Sequence, residues 1–259
     1  MSRRIPPFCT KRAHATDPNR TFFTKSAETH YVTDHPTVLR VQDLEPEEGL
    51  VHGFSTLDLG SVKVKDSRRR FAELLSLDPN ALTTVGAVHG SAVARVDAPQ
   101  ERVDEVDALI TDSPGIALFA TYADCYPIVL WDPDHRAAAL AHAGWRGTEA
   151  EVAAHTVQAM RREFGTDPSA LKAGIGPGIC GRCYEVGEEV ATRFDARFVS
   201  STNGDRFLLD LAAALHAQLE EEGVQQIFQL ALCTKETPLL PSHRRTPDGA
   251  RFGAIVAIR

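Results

Sequence analysis

Residues 116–147 read IALFATYADCYPIVLWDPDHRAAALAHAGWRG, and their pattern decides the fold class. Three apolar runs, at 116–122, 128–131 and 137–141, are separated by short breaks rich in Asp, Pro and His. Each run has strand length, and none alternates apolar with polar, which is the pattern of strands covered on both faces. Such a sheet needs a packed layer on either side. Working outward, further strand-like runs lie at 38–41, 50–54, 84–88, 92–96, 108–111, 172–175, 227–232 and 252–258. Helical spacing appears at 68–77, where Phe71, Leu74 and Leu75 share a face behind a cap at Asp66-Ser67. A second helix is expected after a capping box of Thr148 and Glu151, with Ala153, Val157, Met160 and Phe164 on its buried stripe. Two more are expected around 188–198 and 208–221, the latter carrying Leu208, Ala212, Leu215 and Leu219 and stopping at Gly223. Together these elements predict one mixed α/β (α+β) domain over residues 38–259, with layered mixed sheets flanked by helices. Residues 1–37 show no sustained period and read as an irregular arm.

Composition narrows the function. A chain of 259 residues can bury roughly 70–75% of its surface, so the fold needs no disulfide or metal staple and a bound metal is expected to serve chemistry. Asp and Glu outnumber Lys and Arg by 35 to 28, which gives no footprint for broad nucleic-acid binding. An anionic substrate would need a local cationic pocket. The longest apolar run is far below the ~20 residues of a membrane span. The start MSRRIPPFCTKR lacks the apolar core of a secretory signal, so a cytoplasmic location is expected. Five cysteines, an odd number, argue for reduced thiols rather than a disulfide framework.

Chemistry is therefore sought among Cys and His. His89, Cys125 and His142 each sit at the end of a strand-like run beside small or turn-forming residues, where a ligand can approach the backbone. Two imidazoles and a thiolate suit zinc and leave a fourth tetrahedral position open, the arrangement of a catalytic site. A metal so held brings the pKa of its bound water toward ~7. Spacing alone leaves open a second reading, in which each is simply a packed or hydrogen-bonded residue. Other signatures fail. No His begins H-x-E, and neither H-E-x-x-H nor G-x-S-x-G occurs. Gly176-Pro177-Gly178-Ile179-Cys180-Gly181 matches G-x-G-x-x-G, but Pro177 removes a phosphate-binding donor and no acid-ended strand follows ~20 residues later. The Cys180/Cys183 pair would need two further ligands nearby to hold a structural zinc. Arg146, following the His142 turn, and the 242–245 loop offer guanidinium groups for an anion, and His52 is another turn-adjacent imidazole.

Taken in order, several segments resemble the laccase-domain, or polyphenol oxidoreductase, family. They are His52-Gly53-Phe54-Ser55-Thr56, Val88-His89-Gly90, Ala123-Asp124-Cys125 with Pro127, His142-Ala143-Gly144-Trp145-Arg146-Gly147-Thr148, Gly176-Pro177-Gly178-Ile179 with Tyr184-Glu185-Val186, Cys233-Thr234, and Ser242-His243-Arg244-Arg245. The His142–Thr148 block is the most specific. The resemblance implies a cysteine-hydrolase-like fold and a zinc-dependent purine nucleoside phosphorylase that also deaminates adenosine, acting on a nucleoside and phosphate. It implies His89, Cys125 and His142 as zinc ligands and catalytic groups, Arg245 near the substrate and Arg146 as an anion or structural partner, while His52 reads equally as a packed residue or a substrate contact. Asp124, beside Cys125, would shuttle a proton or orient a ligand. One departure is plain: where the family usually has an Arg and a Gly-Gly-Val-Ser turn, this chain reads Leu57-Asp58-Leu59-Gly60-Ser61, so Lys63 or Lys65 would have to serve phosphate. Competing readings are an amide hydrolase with Cys125 as nucleophile, related to peptidoglycan-precursor editing, a non-catalytic metal-holding domain, and a copper phenol oxidase. Copper is the weaker metal candidate because no H-x-H pair occurs.

Overall fold

Residues 116–147 form the middle of two stacked sheets. The computed structural model describes residues 37–259 except Pro46, Asn203 and Asp248, and the expected arm at 1–37 lies outside the described residues apart from Thr37. The strands are β1 (Val38–Leu39), β2 (Leu50–Ser55), β3 (Leu82–Gly86), β4 (Val93–Arg95), β5 (Arg102–Asp104), β6 (Ala108–Thr111), β7 (Ala117–Tyr122), β8 (Tyr126–Asp132), β9 (Ala137–Ala143), β10 (Lys172–Ile175), β11 (Glu185–Val186), β12 (Val199–Ser201), β13 (Phe207–Leu209), β14 (Gln226–Gln229) and β15 (Phe252–Ile258). The helices are α1 (Lys65–Leu74), α2 (Trp145–Glu149), α3 (Val152–Phe164), α4 (Glu188–Ala191) and α5 (Leu211–Glu221). One sheet runs β1-β2-β15-β7-β3-β5, the second β14-β10-β8-β9-β6-β4, and a small third β11-β13-β12. Both large sheets mix antiparallel pairs with parallel ones, such as β3 with β7 and β10 with β14.

Side-chain alternation explains why the central runs are apolar throughout. On β7, Leu118, Ala120 and Tyr122 face the space between the sheets, while Ala117 and Phe119 pack with Phe71, Ala72 and Leu75 at α1. On β9, Ala138 and Leu140 join the inter-sheet core, while Ala137, Ala139, Ala141 and Ala143 share a core with Val152 and Val157 on α3 and Leu215 on α5. Alanine at four successive outward positions lets the helices approach closely. The result is a four-layer order of helix, sheet, sheet and helices.

Several local expectations are corrected. Thr148 and Glu151 do not form a capping box: the Thr148 hydroxyl donates to Gly144 O at 2.9 Å inside α2, and Glu151 adopts a left-handed φ of 59° between α2 and α3. Two helices thus replace the expected capped start. Asp66 and Ser67 lie inside α1, whose N-cap is Val64. The helix expected at 188–198 shortens to α4 and a 3-10 turn at Ala196–Phe198. Leu208 belongs to β13, and α5 begins after Asp210, whose carboxylate accepts from Ala213 N at 3.0 Å. Among the described residues no helix is long and apolar enough to cross a membrane.

His52, on β2, is 2% exposed. Its Nε2 accepts from Val41 N at 3.0 Å, which fixes the Nδ1–H tautomer. Burial, with help from Arg40, pulls its pKa from 6.5 down to about 3. The unfolded chain therefore takes up a proton below pH 6.5 that folded His52 refuses. Its stabilisation is complete above that pH and falls by about 1.4 kcal/mol per pH unit as pH drops from the unfolded toward the folded value. Denaturant melts of wild type and His52→Gln should show a stability gap that narrows between neutral pH and about pH 5; a constant gap would contradict the buried neutral imidazole.

Candidate active site

The β8–β9 hairpin register pairs Tyr126 with Ala143 and Pro127 with His142, so Cys125, one residue before β8, arrives at the end of β9 where His142 sits. β6 pairs Ala108 with Ala141, which sets Asp107 beside His142. The His142 N–H donates to Asp107 O at 2.7 Å. Asp107 is fully buried, and its carboxylate organises the third participant: Oδ1 accepts from His89 N at 2.8 Å, and Oδ2 accepts from Gly90 N at 2.7 Å and Val88 N at 3.4 Å. These bonds hold His89 in a left-handed turn, φ 63°, at the end of the β3 connection. Burial resists ionisation of Asp107, but the neighbouring His142 imidazole and the amides of Gly90 and His89 outweigh it and keep the carboxyl below its usual range.

The ligand atoms of His89, Cys125 and His142 lie within 4.8 Å of one another. The two imidazole centroids are 5.0 Å apart. Zinc bonds of ~2.0–2.3 Å would bring such donors to about 3.3–3.8 Å, so modest side-chain adjustment closes the set on an ion. Two observations show that these residues fit a metal. The buried His142 Nδ1 has no hydrogen-bond partner, with Asp107 Oδ1 at 3.7 Å, so a small shift gives the carboxylate–imidazole pair that leaves Nε2 free to bind metal. Gly144 lines the other side: a Cβ there would stand 2.9 Å from Cys125 Sγ and 3.1 Å from His89 Cδ2. Only the absence of a side chain at 144 keeps room for the three donors. Without metal, burial opposes the Cys125 thiolate, yet His142 and His89 overcome this and bring its pKa to about 6. Burial likewise opposes protonation of His142, and Cys125 with Asp107 raises it to about 9.

A cleft of about 120 Å³ opens over this cluster. His89, Asp124 and Cys125 lie at its base, with Trp145, Arg146 and Tyr184 around it. The Arg146 guanidinium sits 4.2 Å from the Trp145 ring centroid. Asp124 has a left-handed φ of 80°, and both its oxygens are engaged: Thr234 Oγ1 donates to Oδ1 at 2.6 Å, Arg244 N to Oδ2 at 2.8 Å.

Other sequence candidates lie elsewhere. His52 does not line the cleft and is a satisfied core histidine. The Arg245 guanidinium donates to the carbonyls of Thr234, Lys235, Thr237 and Leu240, bracing that loop from within. Its neighbour Arg244 is the one beside the cleft wall, 4.8 Å from the Tyr184 ring and donating to Glu185 O at 2.6 Å. Neither Lys63 nor Lys65 lines the cleft. Sequence reasoning missed Asp107, whose one signal is an acid opening an apolar strand, and gave Tyr184 no role of its own, since its ring carries no local signal.

With the geometry in hand, comparison with known proteins is informative. A profile of the family described as multi-copper polyphenol oxidoreductase laccase matches residues 45–259. The chain belongs to this family. A Streptomyces coelicolor protein named purine nucleoside phosphorylase is 40% identical over 198 residues, covering 74% of this chain and 81% of the relative. A Deinococcus radiodurans protein of the same name is 37% identical, covering 75% and 77%. The crystal structure of YlmD from Geobacillus stearothermophilus shares the fold with a TM-score of 0.81 and 29% identity, covering 88% of this chain and 98% of that one. The Bacillus licheniformis hypothetical protein YfiH, 24% identical, superposes with a TM-score of 0.82 and covers 88% and 99%. The expected mixed α/β fold and family are thus shown.

Replacing Asp107 by Asn removes the acceptor for one or more backbone donors and the counter-charge for His142. We expect zinc affinity, read by competition with a chromophoric chelator, to fall by about 10–100-fold. Unchanged affinity would remove Asp107 from the site.

Proposed function

We propose that this chain is a zinc-dependent purine nucleoside phosphorylase that also deaminates adenosine. The observation that carries the reading is the convergence of His89, Cys125 and His142 beneath a cleft flanked by Trp145, Tyr184 and Arg146. The names of the relatives support the nucleoside substrate. Zinc, when bound, would supply Lewis acidity toward an oxygen of water or substrate. The remaining work falls to the chain. Asp107 holds the His89 turn and would fix the His142 tautomer once its carboxylate closes on Nδ1, so the donor set is preorganised. The flat faces of Trp145 and Tyr184 offer an apolar seat for a purine ring. Arg146, which lines the cleft, and Arg244, beside the Tyr184 ring, would orient phosphate, whose attack on the sugar needs positioning and charge stabilisation. Asp124, with both oxygens already accepting hydrogen bonds, serves best as the residue that holds the 234 and 244 loops against the cleft.

A second reading is favoured by one observation: Cys125 and His142 bring their sulfur and ring nitrogen within 4.8 Å of each other, and their charges favour a thiolate beside an imidazolium, the pair a cysteine hydrolase would use when no metal intervenes. Metal content separates the two, since a nucleophilic Cys125 must be free of metal.

Adenosine, inosine, guanosine and methylthioadenosine incubated with and without phosphate should give free base only with phosphate, and inosine from adenosine in either case. Cys125→Ala should lose zinc from this centre and lower both activities by at least about 100-fold, the scale of losing one preorganised electrostatic group. A Cys125→Ala protein that keeps that zinc and both activities would overturn the proposal. Full nucleoside inactivity of zinc-loaded wild type would do the same.

A further inference from the structure

We propose that Cys180, Cys183, Cys233 and Glu236 form a second metal site, a structural zinc clip separate from the His89–Cys125–His142 centre. The ligand atoms of these four residues lie within 4.8 Å of one another. Cys180 and Cys183 come from the loop after β10, and Cys233 and Glu236 from the loop after β14, so the fold supplies the two missing ligands that the C-x-x-C pair lacks in sequence.

The two loops present their ligands in matching turns. Cys183 N donates to Cys180 O at 2.8 Å, and Glu236 N donates to Cys233 O at 3.2 Å, so each turn brings residues i and i+3 to one side. Backbone pairing fixes the two turns together: Gly178 bridges Cys233 in parallel, and Thr234 N donates to Gly178 O at 3.0 Å. The sulfur of Cys233 is also served as a thiolate would be. Cys180 N donates to it at 3.3 Å. Three thiolates and one carboxylate make four protein donors, and a tetrahedral shell closed by protein leaves no position for water, as in structural rather than catalytic zinc sites. Binding would release the thiol protons to solvent. Arg182, 3.4 Å from Glu236 Oε2, leaves the other carboxylate oxygen to the ion.

The place of the clip gives it a purpose. Between Cys180 and the cleft lies Ile179, whose N–H donates to Asp124 O at 2.9 Å, and just past Cys183 comes Tyr184 of the cleft wall. On the other loop, Thr234 follows Cys233 and donates to the Asp124 carboxylate. Cross-linking the two loops through a metal would hold Ile179, Tyr184 and Asp124 in register. The fold has core enough to stand alone, so the clip acts locally on these loops.

The test is metal content of the full chain, purified with a thiol reductant, by mass spectrometry. Wild type should carry two zinc ions per chain, and Cys180→Ser/Cys183→Ser and Cys125→Ala/His142→Ala should each carry one. Cobalt replacing zinc in Cys125→Ala/His142→Ala should give the charge-transfer absorption of several thiolates, and added zinc should raise its melting temperature. Glu236→Gln, which keeps all three sulfurs and the fold by circular dichroism, should hold that zinc more weakly in chelator competition. One zinc in wild type and none in Cys125→Ala/His142→Ala would overturn the clip and leave the first centre standing. A disulfide among these cysteines in the reduced protein, or no thiolate–cobalt absorption in that variant, would also overturn it. One zinc in both proteins would support the clip while removing the metal from the proposed active centre.

Discussion

The buried carboxylate of Asp107 is the constraint on which the candidate centre depends. A charge removed from water is tolerated only with partners on most of its lone pairs. Here the partners are the amides that make the His89 turn and the imidazole of His142. Satisfying one buried charge therefore sets the backbone of one metal-ligand candidate and the ring of another. Cys125 needs no such device, because the β8–β9 register places it. Gly144 completes the arrangement by leaving the sulfur and the His89 ring their space.

Charge is handled just as locally elsewhere. The chain is acidic overall, so its field repels an anion, and attraction must come from single guanidinium groups near the cleft. Adjacent arginines divide the work. Arg245 turns inward and saturates four carbonyls of its own loop, whereas Arg244 reaches the Tyr184 side. A guanidinium carries five donors and serves equally well as a backbone brace or an anion seat, which is why adjacency in sequence cannot tell the two apart.

Much of the sheet architecture was legible. The runs at 108–111, 172–175 and 252–258 coincide with β6, β10 and β15, because short, mainly apolar runs bounded by turn residues fit buried strands better than helices. Helix starts were less legible. Thr148 and Glu151 have the right spacing for a capping box, but Thr148 ends up inside α2 with its hydroxyl on Gly144 O, and Glu151 takes a left-handed φ that local preference does not foresee. Strands β5, β11, β12 and β13 are two or three residues long and carry no period to read.

By itself the sequence determined the layered mixed fold and the family, since these rest on periodicity and on motifs contiguous in the chain; it also singled out His89, Cys125 and His142 as candidate donors through the family resemblance. Tertiary structure alone decided that His52 is core, that Arg245 braces its own loop while Arg244 lies over the Tyr184 ring, and that Asp107 bonds the His89 turn beside His142. It also decided that Cys233 and Glu236 meet Cys180 and Cys183 across some fifty residues. The physical reason is the same in each case. These relations depend on strand register and on which polar groups burial forces into contact, and neither is written in the spacing of residues along the chain.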